Sequence, residues 1–387
     1  MKEDPNIHRK RLFHVFQFPR HEKFGWHIRD RRNHLRIDIQ RWLNLLSGDQ
    51  SISFDWLGCP AVNAFAYCEP QKTFSCIGIS IGAYLRTNLI FYSLLAYTDI
   101  FDQHFQIGER DKNINHDMNL PRIIAMTHDE LQENIPVVFS NRWWVASMLE
   151  DRMTEFLFAH ELAHIVLGHV TRVQKNRLNK MWSSLQQKEV NQQIGLEERW
   201  VMELNADRLA TDIVFLTHFK NNLFLGEASL FSGRMQKKRD DFFFCFLTAV
   251  EVLMHSIHVQ RKQQWGPLEP HPISGYPTPW IRYHIVLNRC FFWMQRLFGL
   301  KVDHIINHNL APTWIKLQSI RKAFHLTDDK NFLSVEVGDI KGFTDFNLDK
   351  KIQQYSALWE KPPLFERLLQ FLTFPKFDLY SKITTPS

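Results

Sequence analysis

The sequence predicts an α+β fold that is mostly helical, with a small sheet packed beside one long helix. Three observations carry that expectation. Residues 142–170, 197–219, 240–259 and 280–298 place apolar side chains at helical spacing. Residues 54–67 and 74–81 are instead rich in β-formers and small residues, with turn signals at Gly58-Cys59-Pro60 and Glu69-Pro70-Gln71. The composition is that of a globular chain, 44% hydrophobic and 23% charged over 387 residues. That length suffices for one large domain or two ordinary ones.

Charge and cysteine usage narrow the class. With 47 basic and 41 acidic residues the net charge is +6, an ordinary mixed-charge balance that does not point to a nucleic-acid partner. The 32 Phe and 12 Trp predict a strongly aromatic core. Cys59, Cys68, Cys76, Cys245 and Cys290 form no CxxC pair, and their odd number in a long chain argues against a disulfide framework. A reducing cytoplasm is the expected setting. The first residues, MKEDPNIHRKRLFHVF, hold no apolar signal core. No membrane span is expected, because the most apolar stretch, residues 242–257, is interrupted by Glu251 and His255 and reads as a buried helix.

In chain order, residues 1–50 form a basic segment, with a short strand expected at 12–18. A helix is expected at 33–46, on Leu35, Ile39, Trp42, Leu43 and Leu46. Two strands, at 62–68 and 73–80, flank the turn at Glu69-Pro70-Gln71, and a helix at 83–98 follows Gly82. Residues 108–122 are polar and read as a loop, with a short element after them. Ser140 or Asn141 caps the long helix 142–170, whose Val145, Met148, Leu149, Met153, Phe156 and Leu157 share its apolar spacing. Gly168 stands where that helix would break. The polar, Gln-rich residues 171–196 read as a lid-like excursion before the helix 197–219. A basic turn at 234–239 leads into the helix 240–259, and the Pro-rich residues 263–279 form a restrained loop before the helix 280–298. Beyond residue 301, helices are expected at 313–324 and 363–372, with the stretch between them through 355 unassigned. The implied organisation is a basic segment 1–50, a central domain 51–300 and a mostly helical C-terminal extension 301–387.

The long helix contains His160-Glu161-Leu162-Ala163-His164. On a helix, residues i and i+4 share a face, so the two imidazoles reach one metal ion and Glu161 reaches a water on it. A hydrolytic zinc site needs a third protein ligand and one open position. A third histidine six residues after His164 is absent, since Val170 stands there. His169 would lie about 140° further round a continuous helix and is badly placed as a ligand. The better candidate is Glu203 in Glu203-Leu204-Asn205-Ala206-Asp207, 39 residues after His164 on a second helix. Asp207, one turn on, could accept a hydrogen bond from a ligand imidazole's other nitrogen. Ala206 is small enough to let the two helices approach.

HELAHIVLGH, then ELNADRLA, then His271-Pro272 with Arg282 after it, resembles the gluzincin metallopeptidases. Within them the HtpX and CAAX-prenyl-endopeptidase type and the soluble phage-exclusion (Lit-like) peptidases are most similar. The resemblance spans residues 140–290, and the absence of expected membrane spans favours a soluble relative. It implies a zincin-like core with the sheet beside the HExxH helix, and an edge strand near residues 74–81 that pairs with extended substrate. It also implies Zn2+ on His160, His164 and Glu203, with Glu161 as general base. A second donor would hold the developing oxyanion; His271 is the first candidate from the HP element, with Tyr283, Tyr276 and Arg282 as alternatives.

The expected activity is therefore zinc-dependent endopeptidase cleavage of a protein or peptide substrate. Two other classes fit the same residues. One is a non-catalytic, zinc-stabilised sensor or interaction protein in defence or stress response; the other is a hydrolase of a small amide or ester.

Overall fold

A computed structural model describes residues 39, 43, 51–57, 62–68, 74–97, 120–134, 141–175, 182–183, 194–224, 233–265, 277–298 and 348–359. Among them the chain is mostly helical with one small mixed sheet, an α+β arrangement. The strands are β1 (Ser51–Leu57), β2 (Ala64–Cys68), β3 (Phe74–Ser80) and the two-residue β4 (Trp182–Ser183). Their spatial order is β1-β3-β2-β4. β1 runs parallel to β3, while β2 is antiparallel to both β3 and β4.

Alternation explains the strands. Ile52, Phe54 and Trp56 of β1 face the main core with Ala64, Ala66 and Cys68 of β2 and Ile77 and Ile79 of β3. Leu57, Phe65, Phe74 and Cys76 form a smaller cluster on the other face. Every residue of β3 is buried, as an interior strand covered on both faces requires. Two expectations are corrected here. β1 was not anticipated, and the strand at 74–80 is interior, held on both sides by β1 and β2, so it offers no edge to a peptide. The edge on the far side of β2 is itself paired at Phe65 and Ala66 by Ser183 and Trp182 of the excursion.

Gly78 stands opposite Phe65 in the β2–β3 register. A Cβ there would lie 2.3 Å from the Phe65 ring and 3.0 Å from Leu57. With Phe65 only 5% exposed, the ring has little room to retreat. Gly78→Ala is expected to destabilise the fold by about 1–3 kcal/mol through overpacking. Urea unfolding of the variant beside wild type would measure it, and an unchanged midpoint would show that the ring moves freely.

The helices are α1 (Ile81–Tyr97), α2 (Leu120–Ala125), α3 (His128–Asn134), α4 (Asn141–Val166) and α5 (His169–Lys175). They continue with α6 (Leu196–Phe224), α7 (Gly233–Trp265), α8 (Pro279–Phe298) and α9 (Leu348–Ser356). β3 passes directly into α1, where the Ser80 hydroxyl accepts from the Ala83 N–H at 3.0 Å as a cap. α4 is central, packing against α1, α6, α7 and strands β2 and β3. Its sides bury Phe156, Phe158, Leu162 and Ile165, and Phe156 and Phe215 both meet Phe246 edge-on. α6 in turn carries α8 and α9.

Other boundaries shift. Residues 234–239, expected as a turn, are helical within α7. Residues 120–122, expected in a loop, begin α2, and residues 348–356 form the unassigned α9. The excursion begins as helix α5, which buries Val170 and Val173. Within α7, Asp240–Gln260 is long and apolar enough to cross a membrane, and 89% of that window is buried inside the protein. Of the helix expected at 33–46, only Ile39 and Leu43 are described; both are helical and sit in the main core. The strand at 12–18, the helices at 313–324 and 363–372, and His271, Pro272 and Tyr276 lie outside the described residues.

Candidate metal centre

Two helices build the site. α4 brings His160, Glu161 and His164, and α6 brings Glu203 and Asp207. Ala206 is fully buried on α6, consistent with close packing of the pair. His160 and His164 lie one turn apart, and their Nε2 atoms are 3.0 Å from each other. Glu203 approaches with Oε2 at 3.5 Å from His160 Nε2 and Oε1 at 3.8 Å from His164 Nε2. Four-coordinate zinc with bonds near 2.05 Å separates its ligand atoms by about 3.3 Å, so this spacing suits a metal ion. His160, His164 and Glu203 thus form a buried group that could hold one, its ligand atoms all within 4.8 Å of one another. Both carboxylate oxygens of Glu203, and both of Glu161, are buried without a hydrogen bond among the described residues. Carboxylates are not left so without cause, and a cation between the imidazoles and Glu203 would satisfy that side chain.

Each imidazole is also gripped from behind. His160 Nδ1 lies 2.9 Å from Asp207 Oδ1. The guanidinium of Arg282 on α8 clamps both oxygens of Asp207, at 2.7 and 2.6 Å, and its third nitrogen lies 3.8 Å from Glu203. Arg282 was an alternative for oxyanion binding; its side chain is instead committed in bidentate fashion to Asp207, behind His160. Tyr283, the next alternative, is buried in the main core at 1% exposure. His169 is outside the ligand group, as its spacing implies, yet its Nδ1 is 3.0 Å from His164 Nδ1. That contact was not foreseen, because it depends on the path of the chain after the expected break at Gly168, where a φ of 80° ends α4 and redirects the chain into α5. A glycine immediately before a histidine was the available signal.

The charges are strongly coupled. Burial alone would lower the pKa of His160, but the carboxylates of Asp207 and Glu203 outweigh it and lift it to about 9. Burial, with the cation at His160 adding to it, holds His164 down to about 3, a neutral imidazole with its lone pair available. Burial pushes Glu161 up to about 8 against the pull of His160 and Arg282. Burial would raise Glu203 and Asp207, yet the imidazoles and Arg282 keep both below the usual carboxylate range.

These shifts set a pH dependence for the metal-free protein. Folding raises His160 from 6.5 to about 9, so its stabilising contribution is complete below pH 6.5 and is lost as pH rises through 9. Glu161, raised from 4.5 to about 8, works the same way: the unfolded chain releases that proton first, so stability falls between those values. Stability of the metal-free chain is expected to fall from pH 6.5 to pH 9. A metal on His160 Nε2 displaces the proton that nitrogen carries in the imidazolium, so metal affinity is expected to rise over that interval. Denaturant titrations with chelator present, across the interval, check the first; a flat or rising profile contradicts it.

What fold and site define together is a mostly helical α+β protein with a buried two-histidine, one-carboxylate group. Comparison of the chain with protein-family models, with curated proteins and with solved structures found no match to any of them.

Proposed function

We propose that the protein is a zinc-dependent endopeptidase of gluzincin type, with a zincin-like core and with His160, His164 and Glu203 as the metal ligands. The observation that carries this reading is Glu161: buried, without a hydrogen bond among the described residues, and next to a convergent two-histidine, one-carboxylate group. Bound zinc would supply Lewis acidity, making water nucleophilic near neutral pH. Glu161, one residue from His160 on the same helix, takes the proton of the attacking water. The scissile carbonyl carbon gains the C–O bond. Glu161 then passes the proton to the departing nitrogen as the C–N bond breaks, leaving a carboxylic acid and an amine. Asp207 and Arg282 keep the His160 ring oriented throughout. His271 remains the proposed oxyanion donor, on the strength of the HP element alone.

The proposed substrate is a protein or peptide, and the proposed setting is a reducing cytoplasm. Among the described residues, Cys68, Cys76, Cys245 and Cys290 are in no disulfide, which supports that setting. The test is proteolysis by the zinc-loaded full chain beside its Glu161→Gln variant: cleavage that survives the substitution overturns the reading.

One observation favours a second reading. His160, Glu161, His164 and Glu203 are all at most 3% exposed. A site so enclosed also suits a zinc that joins two helices without turnover, in a sensor or interaction protein of defence or stress response. Tight zinc with no cleavage of any peptide, and unfolding on chelation, would select it.

A further inference from the structure

We propose that His169, braced by Trp359, is a positioning residue of the metal centre. It fixes the tautomer of His164 and makes the segment at residues 348–359 a working part of the site. The inference rests on the reading that the two-histidine group holds a metal.

The argument begins with which nitrogen is in use. His164 turns Nε2 towards His160 and Glu203, so a metal would take the Nε2 lone pair. The ring hydrogen of His164 then resides on Nδ1, 3.0 Å from His169 Nδ1. That contact is a hydrogen bond only if His169 presents a lone pair there, which puts its own hydrogen on Nε2. His169 therefore acts as a neutral acceptor that selects the metal-binding tautomer of its neighbour.

The two ligands are supported unequally, and the difference has a physical reason. Behind His160 stands a carboxylate, Asp207, neutralised by Arg282. Behind His164 stands a neutral ring. With a divalent ion bound, the ion and Arg282 balance the carboxylates of Glu161, Glu203 and Asp207. A further carboxylate behind His164 would leave an uncompensated buried charge, which is costly. An imidazole gives the acceptor without the charge.

Trp359 fixes where that acceptor lies. Its ring meets the His169 ring edge-on, with centroids 4.4 Å apart and planes at 80°. It is 4% exposed, and its indole N–H donates to Glu198 at 3.3 Å. Glu198 is also paired with Arg172 of α5 at 3.0 Å, so the same carboxylate ties α5, α6 and the turn after α9. α9 is anchored further by Tyr355 donating to Glu197 at 2.7 Å, by Lys351 on the same carboxylate, and by Arg208 with Asp349 at 2.5 Å. Gly168 aims His169 inward from one side and Trp359 closes on it from the other.

Zinc affinity of the full chain, measured by competition with a chromophoric chelator, tests this without reference to turnover. His169→Leu keeps an apolar side chain but no acceptor, and is expected to weaken zinc binding about 10–100-fold. His169→Asn sets a carbonyl oxygen where Nδ1 lies and is expected to recover most of that loss. His169→Gln, whose carbonyl sits one carbon further out, is expected not to, and it serves as the comparison with its acceptor displaced from the Nδ1 position if the Leu variant fails to fold. Trp359→Leu is expected to lower affinity in the same direction. Wild-type affinity in both His169→Leu and His169→Gln overturns the proposal, as does an Asn variant that melts like wild type yet binds no better than Gln. A wild-type chain that takes up no zinc instead overturns the metal reading itself.

Discussion

Glu161→Gln is expected to leave zinc bound and to cut peptide turnover by about 10²–10⁴-fold, the usual worth of a positioned general base. The amide matches the carboxylate in shape but cannot carry a proton from water to amine. The substitution also removes a buried carboxyl that folding pushes up to about 8, so the folded protein should be no less stable than wild type above neutral pH. Loss of activity with stability and metal retained is therefore the diagnostic combination. Zinc content, a melting curve and a peptide-cleavage assay on one preparation read all three. If activity falls only because zinc falls, the role given to Glu161 is wrong.

Arg282→Met is expected to cost about 3–5 kcal/mol of folding stability, the largest stability effect foreseen for a single substitution here. The guanidinium is 3% exposed and makes two charge-assisted bonds to Asp207, with Glu203 close by. Without it, two buried carboxylates retain, among the described residues, the His160 imidazole as their nearby cation, and binding zinc would require that proton to leave. Adding Asp207→Asn should restore part of the loss, because the uncompensated charge goes with it. Denaturant unfolding of the single and double variants gives the coupling. Additive losses would mean that Arg282 acts through packing alone.

The grouping of His160, His164 and Glu203 was legible in the sequence because helical geometry is local. His160 and His164 fall one turn apart whatever surrounds them, and Glu203 and Asp207 repeat that spacing on the next helix. The long helices were legible for the same reason, through their apolar periodicity. What escaped depends on distant partners. β1 alternates well enough, but its parallel pairing with β3 has no local signature, and neither does the interior position of β3. The basic residues at 234–239 resemble a turn until α7 is seen to run through them. Arg282 was noticed, yet its partner could not be assigned before α8 was placed against α6. His169 was set aside as a ligand on continuous-helix geometry, and its contact with His164 follows from how the left-handed Gly168 turns the chain, which spacing does not show.

The braces of the centre also stand in a particular order along the chain. Ligands occupy positions 160, 164 and 203, whereas Arg282 and Trp359 come far later. Ribosomal synthesis is vectorial, and domains fold broadly from the N-terminal side as they emerge. A nascent polypeptide thus exposes all three candidate ligands before the cation that neutralises Asp207 has been made, and before the indole that meets the His169 ring. Until then Asp207 must rely on water or on a protonated His160, and the apolar stretch within α7 emerges before the whole of α8, against which it packs. Assembly of the candidate metal centre is consequently coupled to synthesis through Arg282 and Trp359: a translation product stalled before them would carry the HELAH signature without the scaffold that sets its geometry.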